Sequence, residues 1–221
     1  LHRAHASTAG IAKYIPHCIG FLVENELKNL DVLVHNTPDD FCVFMGGAKV
    51  DDKLPIIKSL LDRCRYLLVG GGIANSFLKA RGADIGASIA TSDESILEEL
   101  KNLMHKYKGK IILPVDFTID DGIIYDIGNK SLELYKKYIN ECELIFVNGT
   151  CGKFEDDRFT EGTSGLFKIL KESNKKVIVG GGDTVSAAKK FGYTFDFMSS
   201  GGGATLEYIA DGTLAALEWM E

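Results

Sequence analysis

Two lysines and a series of glycine-rich turns carry the chemistry that this chain offers. In GGAKVDDK, Lys49 and Lys53 are four residues apart, so on the opening turn of a helix they share one face and suit the charge of a polyphosphate. In VGGGDT, Gly181 and Gly182 let the backbone approach an anion, and Asp183 and Thr184 follow where a helix is expected to start. Both are good helix N-caps. An aspartate beside a phosphate is repulsive unless a divalent cation lies between them, so Asp183 reads either as a cap or as a Mg²⁺ ligand. VNGTCGKFE adds Asn148, whose amide both donates and accepts, and Glu155, an acceptor for ribose hydroxyls. Each feature has a plainer alternative: a solvated helix face for the lysines, tight turns for the glycines. His2 and His5 in HRAH have no third ligand nearby and are read as ordinary polar contacts.

These groups need elements to hold them. From about residue 41, the apolar runs in FCVFMGG, YLLVGGG, KIILPVD, ELIFVNG, KKVIVGGG and DFMSSGGG alternate with segments of helical period. DDKLPIIKSLLDRC places Leu54, Ile57, Leu60 and Leu61 on one face, and DESILEELKNLMHKY does so with Ile96, Leu97, Leu100, Leu103 and Met104. Uninterrupted apolar strands alternating with helices imply a parallel sheet covered on both faces. Right-handed crossovers then put all strand C-termini on one edge. Five of the six runs end there in glycine-rich text, which is where an open α/β sheet binds its ligand. The fold expected is a three-layer α/β/α Rossmann-like domain with a central, mostly parallel sheet of about six strands. Before it, LHRAHASTAGIAKYIPHC has no sustained period, and IGFLVENELKNLDVLVHN reads as a helix with Phe21, Leu22, Leu27 and Leu30 forming a buried stripe.

Composition removes several classes. The 221 residues carry a formal charge of −6 with 45% hydrophobic residues, and Lys and Arg form no dense segment, so nucleic acid is not the expected partner. No apolar stretch reaches the length of a membrane span, and no leader peptide is indicated. Cys18, Cys42, Cys64, Cys142 and Cys151 are irregularly spaced and never form C-x-x-C, as in a protein of the reducing cytoplasm. Neither G-x-x-x-x-G-K-[ST] nor G-x-G-x-x-G occurs, which disfavours an ordinary P-loop and a nicotinamide-dependent oxidoreductase.

Taken in order, GGAKVDDK, LLVGGGIANSFLKARGADIG, ILPVD, DIGNKS, VNGTCGKFE, GGGDT and SSGGGATLEYI resemble the C-terminal, nucleotide-binding half of phosphoglycerate kinase. HRAHAST resembles the end of that family's N-terminal domain and GFLVENEL its interdomain helix. The resemblance implies a phosphotransferase of glycolysis that moves a phosphoryl group between 1,3-bisphosphoglycerate and ADP, giving 3-phosphoglycerate and ATP with Mg²⁺. It implies that Lys49, Gly182 and Gly203 serve the transferring group. Nucleotide would meet Lys49, Lys53, Gly70, Gly71, Gly128, Asn148, Glu155, Gly181, Gly182, Asp183 and Thr184, with Asp183 tied to the metal. Arg3 would belong to the basic patch for the acyl phosphate. Residues 1–20 are then the remnant of a substrate domain, 21–40 an interdomain helix and linker, and 41–221 the nucleotide-binding domain. A cytoplasmic monomer is implied, inactive alone because the phosphoglycerate site would need the N-terminal domain. Around Asn148 the family usually has Trp, Pro, Met and Val where this chain has Val147, Thr150, Cys151 and Lys153, and between ILPVDF and YDIGNKS it usually has a longer excursion. The alternative reading is a non-catalytic nucleotide-binding module that regulates or docks on a partner.

Overall fold

A computed structural model describes residues 1–35 and 37–218. Its strands are β1 (Phe41–Met45), β2 (Tyr66–Val69), β3 (Ile111–Ile112), β4 (Phe117–Asp120), β5 (Ile123–Ile127), β6 (Leu144–Asn148), β7 (Lys176–Gly180) and β8 (Phe197–Met198). The helices are α1 (Phe21–Leu30), α2 (Leu54–Arg63), α3 (Gly71–Ala80), α4 (Glu94–Lys106), α5 (Asn129–Asn140), α6 (Glu161–Glu172), α7 (Gly182–Lys190) and α8 (Gly203–Asp211). Six strands form one sheet in the order β3-β2-β1-β6-β7-β8, and every neighbouring pair in it is parallel.

The apolar runs become central strands because both faces of the sheet are covered. Side chains along β1 alternate between two cores: Phe41, Val43 and Met45 face one, Cys42 and Phe44 the other, as the two-residue strand period requires. The same alternation sends Leu144 and Phe146 to the first layer and Ile145 and Val147 to the second. The first layer is built from α2, α3, α4 and α8, through residues such as Leu60, Phe77, Leu100 and Ile209. The second comes from α5, α6 and α7, through Tyr135, Phe167 and Ala187. The three-layer expectation and all six strands are therefore observed. Full burial of a side chain such as Phe44 or Phe146, both 0% exposed, contributes about 1.5–3 kcal/mol by area.

Two local expectations need correction, and one element was not among those expected. The stripe of α1 is buried only at its end: Leu30 is 3% exposed and Leu27 packs beside it, whereas Phe21 is 90% and Leu22 69% exposed. The helix touches the core through its last turn alone. Secondly, Lys49 and Lys53 do not share a helix face, because Lys49 precedes a short 3-10 turn (Asp51–Lys53) and α2 begins after it. The added element is Phe117–Ile127, a separate antiparallel hairpin, β4 on β5, outside the main sheet. Its turn is Asp121–Gly122, both with positive φ (48° and 73°). Two left-handed residues in a two-residue loop match the twist of the flanking strands, and Asp-Gly suits them.

Candidate functional site

The strand order reverses at one joint. The chain lays down β1, β2 and β3 in one direction, then returns to place β6 against the other side of β1. A crevice opens at such a switch point, outside the strand C-termini. There the loops are stitched by backbone bonds: Gly46 N–H donates to the Asn148 carbonyl (2.8 Å), Gly47 to Thr150 (3.1 Å) and Gly71 to Cys151 (2.8 Å). Glycine is needed for this proximity. A Cβ on Gly46 would collide with the Thr150 carbonyl, and one on Gly72 with that of Ala48.

Above the joint lies Lys53, half-buried, its Nζ donating to the Gly46 carbonyl (2.8 Å) and to Asn148 Oδ1 (2.6 Å). Asn148 Nδ2 in turn donates to the Gly180 carbonyl (2.8 Å), so one buried amide joins β6, β7 and the lysine. Burial lowers the Lys53 pKa to about 8, and the nearby Asp183 charge opposes that shift. Asp183 is exposed and borders the cavity described below. Neither it nor Thr184 caps α7: the N-cap is Gly181, at φ 96°, with no side-chain bond to the helix. This corrects the capping alternative. Thr184 is buried and used internally, its Oγ1 donating to the Gly180 carbonyl (2.9 Å) and accepting from Gly149 N–H (2.6 Å). The first backbone N–H groups of α7 have no partner within the helix and carry its positive end. A Cβ built on Gly182 meets nothing within 4 Å.

From this joint a cavity of about 480 Å³ extends between α3 and the hairpin. Gly71, Gly72 and Asn75 line one wall; Phe117, Ile124, Tyr125 and Asp126 line another; Gly152, Lys153 and Glu155 close the third, with Asp183 on the rim. One end is therefore apolar and the other faces α7, a shape for a molecule with a flat apolar part and an anionic part. A larger cleft, of about 590 Å³, lies beyond β3 beside Arg81 and Tyr107 and holds none of the expected site residues.

Gly71, Glu155 and Asp183 thus border the cavity, and Lys53, Asn148, Gly181, Gly182 and Thr184 gather beside it. Lys49 is exposed in the loop after β1. Gly70 is the N-cap of α3, where a Cβ would press on the Phe44 ring at 2.7 Å. Gly128 is not among the lining residues; it leaves room for Asp116, whose carboxylate accepts from the Lys130 and Ser131 N–H groups (2.9 and 2.7 Å) and caps α5. Gly203 opens α8, with the His2 ring near it, and Arg3 is exposed. Neither borders the cavity. Sequence reasoning missed the hairpin wall and, within it, Asp126. The signal was present: a single acid inside the apolar run IIYDI.

Among the described residues no group of three or more His, Cys, Asp or Glu side chains is arranged to hold a metal. The lone Asp183 carboxylate fits the different case in which Mg²⁺ takes one protein carboxylate and fills its remaining positions with phosphate and water.

A family model described as phosphoglycerate kinase matches residues 1–212. The phosphoglycerate kinase of Rubrobacter xylanophilus is 39% identical over 229 residues, covering 94% of this chain and 58% of the relative. That of Spiroplasma citri is 39% identical over 239 residues, covering 98% and 58%. The solved phosphoglycerate kinase of Coxiella burnetii superposes with a TM-score of 0.89 at 34% identity, covering 99% of this chain and 62% of the other. That of Pyrococcus horikoshii gives 0.85 at 28% identity, covering 99% and 61%. The chain spans about 58% of the length of the curated relatives it matches.

Proposed function

Since this chain belongs to the phosphoglycerate kinase family, we propose that it supplies the nucleotide side of phosphoryl transfer between 1,3-bisphosphoglycerate and ADP, giving 3-phosphoglycerate and ATP. The observation that carries this reading is the cavity at the sheet's switch point, apolar toward the hairpin and ending at Asp183 beside Lys53 and α7. Base and ribose enter between α3 and the hairpin, with Glu155 accepting from ribose hydroxyls, Gly71 on the cavity wall and Gly70 behind it, while Asn148 holds Lys53 at the phosphate end. The phosphates reach the N-terminus of α7, where the N–H groups from Gly182 to Thr184 attract anions. Lys53 exchanges its bonds to Gly46 and Asn148 for a phosphate oxygen. Asp183 would hold Mg²⁺ through its carboxylate, and the ion would supply charge neutralisation at the phosphates.

Lys49, exposed in the loop after β1, stabilises the group in transit, together with the N-terminal N–H groups at Gly182 and Gly203. Such transfer needs positioning and charge neutralisation more than covalent help. Arg3 belongs to the acyl-phosphate side. On this reading residues 1–20 finish a substrate-binding domain, 21–40 form the interdomain helix and linker, and 41–221 bind nucleotide. The exposed Phe21 and Leu22 support that division. The protein acts as a cytoplasmic monomer, and transfer requires the phosphoglycerate-binding domain to close over this one.

Calorimetric titration with MgADP tests the reading directly, with NADH as the control. Saturable binding of MgADP and none of NADH is expected; no adenine-nucleotide binding defeats it. In the enzyme of full family length, K49A is expected to keep the MgADP Kd within about threefold while kcat falls by about a hundredfold or more, the pattern of a group that acts only on the transition state. A large affinity loss with unaltered turnover would remove Lys49 from that role.

A further inference from the structure

Asp126 has no part in the chemistry above, yet it is the one carboxylate buried among the described residues, 1% exposed and bordering the cavity. Its Oδ2 accepts from Gly162 N–H in the first turn of α6 (2.7 Å), and its Oδ1 from Ile127 N–H (2.9 Å). Two glycines make room for it. A Cβ on Gly152 would collide first with the Tyr125 carbonyl and come within 2.6 Å of Asp126 Oδ1, and one on Gly162 would collide with that same Oδ1. Hairpin, 150–156 loop and α6 are thus all shaped around one carboxylate. The loop is also held where Lys153 N–H donates to the Tyr125 carbonyl (2.9 Å) and where Tyr125 stacks on Phe159 with centroids 4.4 Å apart.

We infer that Asp126 is a positioning residue for the nucleotide: as a carboxylate it fastens α6 to the hairpin, holding the 150–156 wall and Glu155 in place, and its protonation loosens that wall. The inference rests on the nucleotide reading of the cavity. Two acceptor oxygens match two N–H donors. A protonated acid keeps one good acceptor and turns an O–H toward the other donor, which is then unsatisfied in a buried place. Burial pushes the Asp126 pKa up to about 7, against the two N–H bonds that lower it, and Glu161 on α6 adds repulsion. The other polar and charged groups on the cavity wall it borders are Cys151, Lys153 and Glu155 of the loop, Tyr125 of its own strand, the uncharged Asn75 on α3 and Asp183, and Thr118 is opposite it on β4. Nucleotide binding therefore favours the ionised form and weakens as pH falls through 7.

The test compares the unmodified protein with D126N, whose side chain has one acceptor at every pH. MgADP affinity is measured calorimetrically from pH 6 to pH 8, and the Gly162 amide is followed by ¹H–¹⁵N NMR. D126N is expected to bind about tenfold more weakly at pH 8, as one orphaned buried donor implies, and to approach the unmodified protein at pH 6. Phosphate titration affects both proteins alike, so the difference between their profiles is the readout. In the unmodified protein the Gly162 and Glu155 amide signals should titrate together near pH 7, an observation that stands even where D126N does not fold. Parallel binding profiles, or a Gly162 signal unmoved between pH 6 and pH 8, overturn the role of Asp126 while leaving the nucleotide site intact. An unmodified protein that binds no MgADP at any pH overturns both.

Discussion

Lys53 keeps its ammonium where burial disfavours it, and the environment lowers its pKa to about 8. The sign follows from linkage. A folded-state pKa below the usual lysine value means that stability is gained as pH rises above about 8 and is lost again as pH falls through it. A phosphate beside Nζ favours the charged form and raises the pKa, so binding near pH 8 should draw in a proton. We expect the MgADP binding enthalpy at pH 8 to differ between Tris and phosphate buffers by the difference in their ionisation heats times the protons taken up, and K53M to abolish most of that difference. Equal enthalpies in the two buffers would place Lys53 away from the phosphates. Lys53 stands out in GGAKVDDK, but its partner does not: Asn148 lies 95 residues away, and nothing in spacing connects them. Asp126 was harder still. An acid in an apolar strand is visible in sequence, whereas the Gly162 N–H that it accepts from is 36 residues further on.

At the scale of elements, the glycine-rich strand ends separate into two kinds that look alike in sequence. Gly46, Gly72 and Gly149 are glycine because another backbone passes where a Cβ would be. Gly182 faces open space at the start of α7, so no neighbouring atom of the chain demands glycine there. G72A should cost about 3 kcal/mol or more, since the colliding atom is a backbone carbonyl that cannot rotate away. G182A should change stability by less than about 0.5 kcal/mol and yet weaken MgADP binding; urea denaturation and calorimetry on the same samples check both. Unaltered binding in a stable G182A protein would mean that the α7 N-terminus meets no phosphate. The six parallel strands were legible because burial on both faces demands continuous apolar runs. The hairpin was not, although Asp121–Gly122 is the dipeptide that such turns prefer; Asp120 and Asp126 break the apolar runs of β4 and β5.

For the molecule as a whole, strand order could not be read from any local pattern, and it is the order that creates the crevice. α1 is pinned to the rest by Glu26, which accepts from Ser199 Oγ (2.7 Å) and Ser200 N–H (2.8 Å) in the loop before α8, while Phe21 and Leu22 stay exposed. If those two side chains serve a neighbouring domain, replacing both with serine should leave the thermal midpoint of this chain within about 2 °C, as exposed positions imply. In the enzyme of full family length the same change should lower it. A fall of many degrees in this chain alone would mean that α1 already packs through them. The hairpin also divides the sheet in sequence: β1, β2 and β3 precede it, and β6, β7 and β8 follow it. A chain interrupted between Asp121 and Gly122 would yield two polypeptides, each carrying a three-stranded half-sheet, that meet edge to edge where β1 pairs with β6. The crevice sits on that seam, so a bound molecule would act as an adhesive between the pieces, and their reassembly could serve as a two-part reporter of its concentration.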